Sequence, residues 1–169
     1  MSAKQAGIEM GHAHIYVRNL DQSADFYTRV IGLRETERIG NAMAFLSSSE
    51  KHHTLALQAL GETAGPQPPG TVGLYHVAFE LPDAVSLDTA LDRLDAEGVG
   101  WQAVDHGISW AVYFDDPDGN GLELYVDRRR QAGGRKAWHG ITARLPRERI
   151  RQDVDAESVN RADVALCIN

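Results

Sequence analysis

The chain of 169 residues contains the same local pattern twice, and this duplication restricts its fold more than any other feature. Two alternating runs rich in β-forming residues, 11–17 and 74–80, place His12 and His76 at equivalent positions 64 residues apart. Each run is followed by apolar residues at helical spacing and then by further strand-like runs. Because a half of about 60 residues is marginal alone, we predict one domain built from two similar halves.

Capping signals predict one helix in each half. In the first half, Asp21 or Ser23 is the predicted cap and Gly32 the predicted end. In the second half, Ser86 is the predicted cap and Gly98 the predicted end. The other runs of β-forming residues predict strands at 42–46, 54–58, 101–104, 110–114 and 122–126. The Gly- and Pro-rich stretch 59–73 predicts a loop between the halves.

Composition excludes several classes of protein. A single cysteine, Cys167, rules out an intramolecular disulfide framework. No apolar run approaches the roughly 18 residues of a membrane span, so we expect no membrane partner. Since no basic-then-apolar leader opens the sequence, we expect a cytoplasmic protein.

The net charge of -7 is unevenly distributed along the chain. Residues 1–127 contain 7 basic and 19 acidic side chains, whereas residues 128–169 contain 10 and 5. The acidic body argues against a nucleic-acid partner. A basic cluster of Arg128, Arg129, Arg130, Arg135 and Lys136 is expected to be solvated or to form a subunit contact. Exposed sheet edges in pseudosymmetric halves also predict a homo-oligomer.

The residues His12, His76 and Glu123 suggest a mononuclear metal site. Two imidazoles and one carboxylate leave open coordination positions on a divalent metal, an arrangement typical of non-haem Fe(II). Glu123 faces opposite to its leucine neighbours on a strand, and an inward ionised carboxylate requires a partner such as a metal. On an alternating strand His14 shares the face of His12, so either histidine is a candidate ligand.

Several motifs occur in order between residues 10 and 127, and together they resemble a known family. They comprise residues 11–20, 52–57, 76–79, 105–109 and 113–123. In order and spacing the chain is similar to the vicinal oxygen chelate superfamily (glyoxalase, bleomycin resistance and dioxygenase proteins). Within it, the chain is most similar to single-domain extradiol catechol 2,3-dioxygenases. The resemblance does not extend beyond residue 128.

The resemblance implies an α+β fold. Two pseudosymmetric βαβββ modules, about 10–60 and 72–127, would form an open cup-shaped mixed β-sheet with helices outside. The expected domain is then 1–127, and residues 128–169 are an extension packed on the domain or at a subunit contact. The resemblance also implies His12, His76 and Glu123 as the metal ligands, with His12 favoured over His14. Fe(II) is the expected cofactor and Mn(II) the alternative.

The activity implied by the resemblance is extradiol cleavage of a small aromatic diol by O2. His53 is expected to take a proton from a bound phenol and to return it later. His106 and Tyr113 are expected to hydrogen-bond substrate oxygens. The family pattern has an aspartate after the histidine at position 53, where this chain has Thr54. His52 is predicted to face away from His53 and is not placed in the catalytic set.

Other members of the same fold are alternatives. A glyoxalase-like isomerase or epimerase would take a fourth ligand from the strand containing Gln58, which is not a carboxylate. A thiol transferase to fosfomycin usually carries threonine where this chain has His14. A metal-free binding protein of the bleomycin-resistance kind would generally lack the full ligand set.

Overall fold

The computed structural model describes residue 7, residues 9–131 and residues 133–155. It divides into two compact units, with the boundary between Gly65 and Pro66. Each unit contains one mixed β-sheet and an α-helix that follows its first strand, which confirms the α+β class. None of the helices in the described ranges is long and apolar enough to cross a bilayer. Cys167 lies outside the described residues.

The first unit has a four-stranded sheet. Its elements are β1 (Ala13–Val17), α1 (Leu20–Phe26), a π-helical turn (Tyr27–Ile31), β2 (Arg34–Ile39), β3 (Met43–Ser47) and β4 (Leu55–Ala59). The strand order is β1-β4-β3-β2, with β1 parallel to β4 and the other pairs antiparallel. The first strand therefore pairs with the last, and the helix and a hairpin form the crossover that parallel pairing requires.

The second unit repeats this plan and adds a short strand and helical structure at residues 147–155. Its elements are β5 (Val77–Leu81), α2 (Ala84–Ala96), β6 (Gln102–Asp105), β7 (Ser109–Asp115), β8 (Gly121–Asp127) and β9 (Ala143–Arg144). The strand order is β5-β8-β7-β6-β9, with β5 parallel to β8. Both units thus have the predicted βαβββ sequence of elements, and residues 60–76 between them form no regular element.

The core of the second unit forms between α2 and its sheet. The predicted apolar stripe of α2, which consists of Leu87, Ala90, Leu91 and Leu94, is buried. The facing strand β8 is buried over 122–124 and at Val126. Complete burial of one leucine side chain contributes about 1.5 to 3 kcal/mol, so this stripe is a main source of stability for the unit.

The helix starts differ from the prediction. The side chain of Asn19 caps α1 by accepting a hydrogen bond from the backbone N–H three residues later, at 3.0 Å. Asp83 caps α2 in the same way, accepting from the N–H of Ser86 at 2.8 Å. The predicted caps Asp21, Ser23 and Ser86 are therefore wrong, because an acceptor side chain lies earlier in each sequence and the helix begins there.

Strand β2 was not predicted. Four of its six residues are charged, and it forms the edge of its sheet, so it lacks the apolar alternation by which strands are recognised. Arg38 lies 2.7 Å from Glu35 on the same strand and 2.5 Å from Asp21 of α1. Charged side chains along an edge strand also disfavour pairing with another chain.

The segment after β8 is not a freely solvated basic tail. Arg128, predicted to belong to an exposed cluster, is buried, with its guanidinium 3.9 Å above the ring centre of Trp110 and 2.5 Å from Asp153. The cation–π contact with Trp110 and the ion pair with Asp153 compensate for the hydration that the buried guanidinium loses. Strand β9 pairs antiparallel with β6, so this extension adds a strand to the second sheet.

Arg147 attaches the extension to α2. Its guanidinium contacts three carboxylates that are three or four positions apart on one helical face, namely those of Asp88, Asp92 and Asp95. The Arg147 side chain is 14% exposed and that of Asp88 19%, so this contact is more shielded from water than an ordinary surface pair.

Arg147→Ala is expected to lower the free energy of unfolding by about 2 kcal/mol, because three carboxylates on one helical face lose their shared cation. The measurement is the urea midpoint at unchanged m value. Arg129→Ala, which breaks an exposed pair with Asp127, is the matched control and should leave the midpoint nearly unchanged. Equal shifts for the two variants would contradict a role for Arg147 in attaching the extension.

Candidate active site

The parallel pairing of β5 with β8 brings together two predicted ligands, His76 and Glu123. Glu123 is in register with Ala78, and His76 directly precedes β5. Nε2 of His76 lies 2.9 Å from a carboxylate oxygen of Glu123, which is 9% exposed. Because a carboxylate only accepts, the imidazole N–H donates to it.

Gly121 at the start of β8 permits this approach. A Cβ atom at this position would lie 2.3 Å from the backbone oxygen of Tyr75, far inside van der Waals contact. Only a residue without a side chain lets β8 begin so close to the chain that leads into His76. Gly121 is therefore required for the close packing that brings His76 to Glu123.

His76 and Glu123 are two of the three predicted metal ligands, and their separation suits a shared metal ion. Nδ1 of His76 is buried and has no hydrogen-bond partner in the described part of the chain. Two ligand atoms at about 2.1 Å from a metal and at right angles are about 3 Å apart, which is close to the separation of Nε2 and the carboxylate oxygen. A divalent cation would replace the shared proton and neutralise the buried carboxylate.

The third predicted ligand, His12, belongs to the first unit. Within neither unit do the described residues bring three His, Cys, Asp or Glu side chains close enough to hold a metal ion. The set of His12, His76 and Glu123 therefore remains a prediction, of which the second unit contains two members in contact.

In the first unit His12 lies beside His53. Their ring centroids are 4.5 Å apart, and the ring of Phe45 lies 5.0 Å from that of His53. Partial burial, together with the neighbouring imidazoles of His12 and His52, holds the pKa of His53 below its usual value. His53 is consequently neutral at pH 7 and has a free lone pair. His14 is exposed, with its ring 6.4 Å from that of Tyr16.

His52 does not face away from His53, so that prediction is wrong. Residues 51–54 are bent, not extended, and side chains therefore do not alternate there. The Nδ1 atoms of the two rings are 2.9 Å apart, and Nε2 of His52 lies 3.0 Å from Glu37. With Nε2 of His52 donating to the carboxylate, its Nδ1 accepts from His53, which leaves Nε2 of His53 as the basic nitrogen.

Tyr113 and His106, both predicted from sequence, form a hydrogen-bonded pair. The Tyr113 hydroxyl lies 3.0 Å from Nε2 of His106, and its ring centroid is 5.5 Å from that of His76. Tyr113 is also in register with Glu123 across β7 and β8. Burial, with the adjacent Glu123 carboxylate, raises the pKa of Tyr113 to about 12. The phenol therefore keeps its proton at neutral pH.

This pair lines a cavity of about 500 Å³, which is within the usual range for small-molecule sites. Its walls include the apolar side chains of Val104 and Ile108. Two further lining residues, Trp138 and Thr142, come from the extension and were missed by sequence analysis. The only signal available was an isolated tryptophan in a basic, Gly-containing stretch outside the region of family resemblance.

The chain is similar to several known proteins. A family model described as the Glyoxalase/Bleomycin resistance protein/Dioxygenase superfamily matches residues 9–124. The chain is 37% identical to catechol-2,3-dioxygenase of Bacillus subtilis over 133 residues, which are 77% of this chain and 45% of that protein. It is 34% identical to biphenyl-2,3-diol 1,2-dioxygenase 3 of Rhodococcus globerulus over 122 residues, 70% of this chain and 63% of that protein.

Solved structures also resemble the chain. A glyoxylase/bleomycin resistance protein/dioxygenase domain from Frankia sp. EAN1pec matches with a TM-score of 0.62 at 22% identity, over 73% of this chain and 100% of that domain. This likeness shows the fold. The chain spans less than two thirds of the length of the two dioxygenases named above.

Glu123→Gln is expected to weaken binding of Fe(II) or Mn(II) by about 100-fold or more, because an anionic ligand becomes neutral without a change of shape. Metal retained after gel filtration measures the effect. Glu80→Gln, on the adjacent strand and likewise near a tyrosine, should retain metal normally. Full metal occupancy in the Glu123 variant would contradict its assignment as a ligand.

In metal-free protein, Glu123→Gln should also lower the pKa of Tyr113 from about 12, because the phenolate no longer faces a carboxylate. The pKa should remain above its ordinary value, since burial is the larger cause. Phenolate absorbance against pH measures it, with Tyr113→Phe identifying the transition. Glu80→Gln should instead lower the pKa of Tyr125. Burial and the hydrogen bond to Glu80 raise that pKa to about 12.

Proposed function

The chain belongs to the glyoxalase/bleomycin resistance protein/dioxygenase superfamily, and from this membership we propose that it is an extradiol ring-cleaving dioxygenase. Its substrates would be a catechol-type aromatic diol and O2. The observation that carries the proposal is the contact of the His76–Glu123 pair with Tyr113, which is hydrogen-bonded to His106 at a cavity of suitable size. The dioxygenases to which the chain is similar act on diols of this class by their names.

We place the metal on His12, His76 and Glu123. When bound there, Fe(II), or Mn(II) as the alternative, would supply Lewis acidity and open positions for the diol and for oxygen. The donor set fits such an ion, because it combines two imidazoles with one buried carboxylate, and Nε2 of His76 lies 2.9 Å from that carboxylate. Neutral imidazole and ionised carboxylate are the protonation states that metal binding requires.

His53 is the proposed general base. Its lowered pKa keeps it neutral, and the hydrogen bond to His52 leaves Nε2 free to take the proton of a diol hydroxyl. Its ring lies against that of His12, so the base is adjacent to a proposed ligand. The same nitrogen can return the proton to the ring-opened product.

Tyr113 and His106 act on substrate oxygens. A phenol with a pKa of about 12 remains a hydrogen-bond donor throughout the reaction, and it can stabilise charge that develops on an oxygen. The apolar walls of the cavity would exclude water around the aromatic ring of the bound diol. The hydrogen bonds from Tyr113 and His106 to the diol would then be stronger, because the local dielectric constant is lower. Such positioning of the diol contributes to rate independently of proton transfer.

Further proposals concern the whole protein. We propose that residues 1–127 form the functional domain with residues 128–169 as its extension. We also propose that the protein is a cytoplasmic homo-oligomer. Its partners would be small molecules and not nucleic acid or membrane, in keeping with the acidic body of the chain.

The function is tested by reconstitution with Fe(II) under anaerobic conditions, addition of a panel of catechols, and admission of air. We expect oxygen uptake equal to the product formed, together with the yellow colour of a ring-fission product. An isomerase or a thiol transferase of this fold would consume no oxygen. Bound iron without oxygen uptake for any catechol would therefore refute the proposal.

His53→Phe is expected to retain metal but to lower kcat by about 10²- to 10⁴-fold, because the ring shape is kept and the base is lost. His52→Phe removes the neighbour but keeps the base, and should cost less than about tenfold. Bound metal and initial oxygen uptake are measured for both variants. Equal rates in wild type and His53→Phe would exclude His53 as the base.

A further inference from the structure

Residues of the extension form hydrogen bonds with His106, a residue of the proposed site. The backbone oxygen of Ile141 lies 3.0 Å from Nδ1 of His106, and the indole N–H of Trp138 donates to the same oxygen. The hydroxyl of Thr142 lies 3.2 Å from Nδ1 as well. The catalytic histidine predicted from sequence is therefore held by residues that lie outside the family-matched range 9–124.

The contact with the Ile141 carbonyl favours a proton on Nδ1 of His106. A carbonyl only accepts, so the neutral imidazole places its N–H at Nδ1 and keeps a lone pair at Nε2. Nε2 is the atom that faces the Tyr113 hydroxyl at 3.0 Å. Before substrate binds, the hydroxyl therefore donates its single proton to His106, and when a diol binds it can turn this O–H to a diol oxygen. In the opposite tautomer Nε2 would donate to Tyr113 and Nδ1 could accept from the Thr142 hydroxyl, but the Ile141 carbonyl would lose its imidazole donor and face a lone pair at 3.0 Å.

The ring of Trp138 forms part of the cavity wall. It stands at 88° to the His106 ring with centroids 5.8 Å apart, and it remains 49% exposed, which is high for a tryptophan. Val104 and Ile108 also line the cavity. An aromatic or alkyl substituent on the diol ring would pack against this apolar wall, whereas a charged substituent would be desolvated there without a partner.

The extension is also connected to the loop that carries His106. Gly107 has φ +74°, which favours glycine, and a Cβ there would lie 2.8 Å from Cδ of Arg135. The backbone N–H of Arg135 donates to the oxygen of Gly107 at 2.8 Å. The loop and the extension thus pack directly against each other, and Trp138 has a defined position relative to His106.

We propose that Trp138 is both a positioning residue, which orients the Ile141 carbonyl and so fixes the His106 tautomer, and a specificity residue, which selects diols with an apolar ring substituent. The specificity part rests on the proposed dioxygenase function. The tautomer part concerns the protein alone and is independent of that function.

The tautomer is measured by 15N NMR of the histidine rings in metal-free protein, with His106 assigned through His106→Gln. In wild type we expect the proton at Nδ1. Trp138→Phe keeps an aromatic ring but loses the indole N–H, so the population protonated at Nε2 should increase. A wild-type His106 protonated at Nε2, or a Trp138→Phe spectrum unchanged at His106, would overturn the positioning role.

Specificity is measured as the ratio of kcat/KM for 2,3-dihydroxybiphenyl to that for catechol in the Fe(II) enzyme. Trp138→Ala should lower this ratio by about tenfold or more, whereas Trp138→Phe should largely retain it because the wall is still aromatic. Arg144→Ala, an exposed substitution in the same segment and not among the lining residues, is the control. An unchanged ratio in Trp138→Ala would overturn the specificity role.

The two proposals can fail separately. Wild-type enzyme that consumes no oxygen with any catechol refutes the dioxygenase function, and the tautomer measurement then decides the role of Trp138 by itself. Normal turnover with the wrong tautomer, or with an unchanged substrate ratio, refutes the role of Trp138 and leaves the dioxygenase function standing. A matched thermal unfolding curve for Trp138→Phe and wild type ensures that the spectra compare folded proteins.

Discussion

The parallel pairing of the first and fourth strands in each unit is the constraint on which the rest of the structure depends. Parallel neighbours need a long crossover, and here a helix and a hairpin provide it in both units. In the second unit the same pairing fixes the register that places His76 beside Glu123. A shift of one residue would turn Glu123 to the opposite face of the sheet and separate the pair.

From this pair a series of contacts extends to Ile141 in the extension. Glu123 is in register with Tyr113, whose hydroxyl bonds to His106, and His106 bonds to the backbone of the extension. Burial strengthens such hydrogen bonds and makes an unpaired member costly, so the series also holds its members in place. Arg128 and Arg147 attach the extension to β7 and α2 through their contacts with Trp110 and Asp88.

Much of the fold could be predicted from periodicity, and the failures have physical causes. Apolar alternation located most strands within one to three residues, and the burial of the α2 stripe follows its helical spacing. Strand β2 was missed because a charged edge strand has no apolar face to alternate. His52 was misplaced because a bend between residues 51 and 54 removes the alternation on which the prediction depended.

The sequence by itself determined the duplicated βαβββ plan and the types of residue available for chemistry. Both follow directly from the local spacing of apolar residues and from side-chain identity. It also indicated His76, Glu123, His106 and Tyr113, and the second unit brings these four together. Only tertiary structure decided the approach of Gly121 to the Tyr75 carbonyl and the contact of the Ile141 carbonyl with His106. The reason is that these contacts join residues far apart in the chain through backbone atoms, which every residue possesses and no sequence pattern marks.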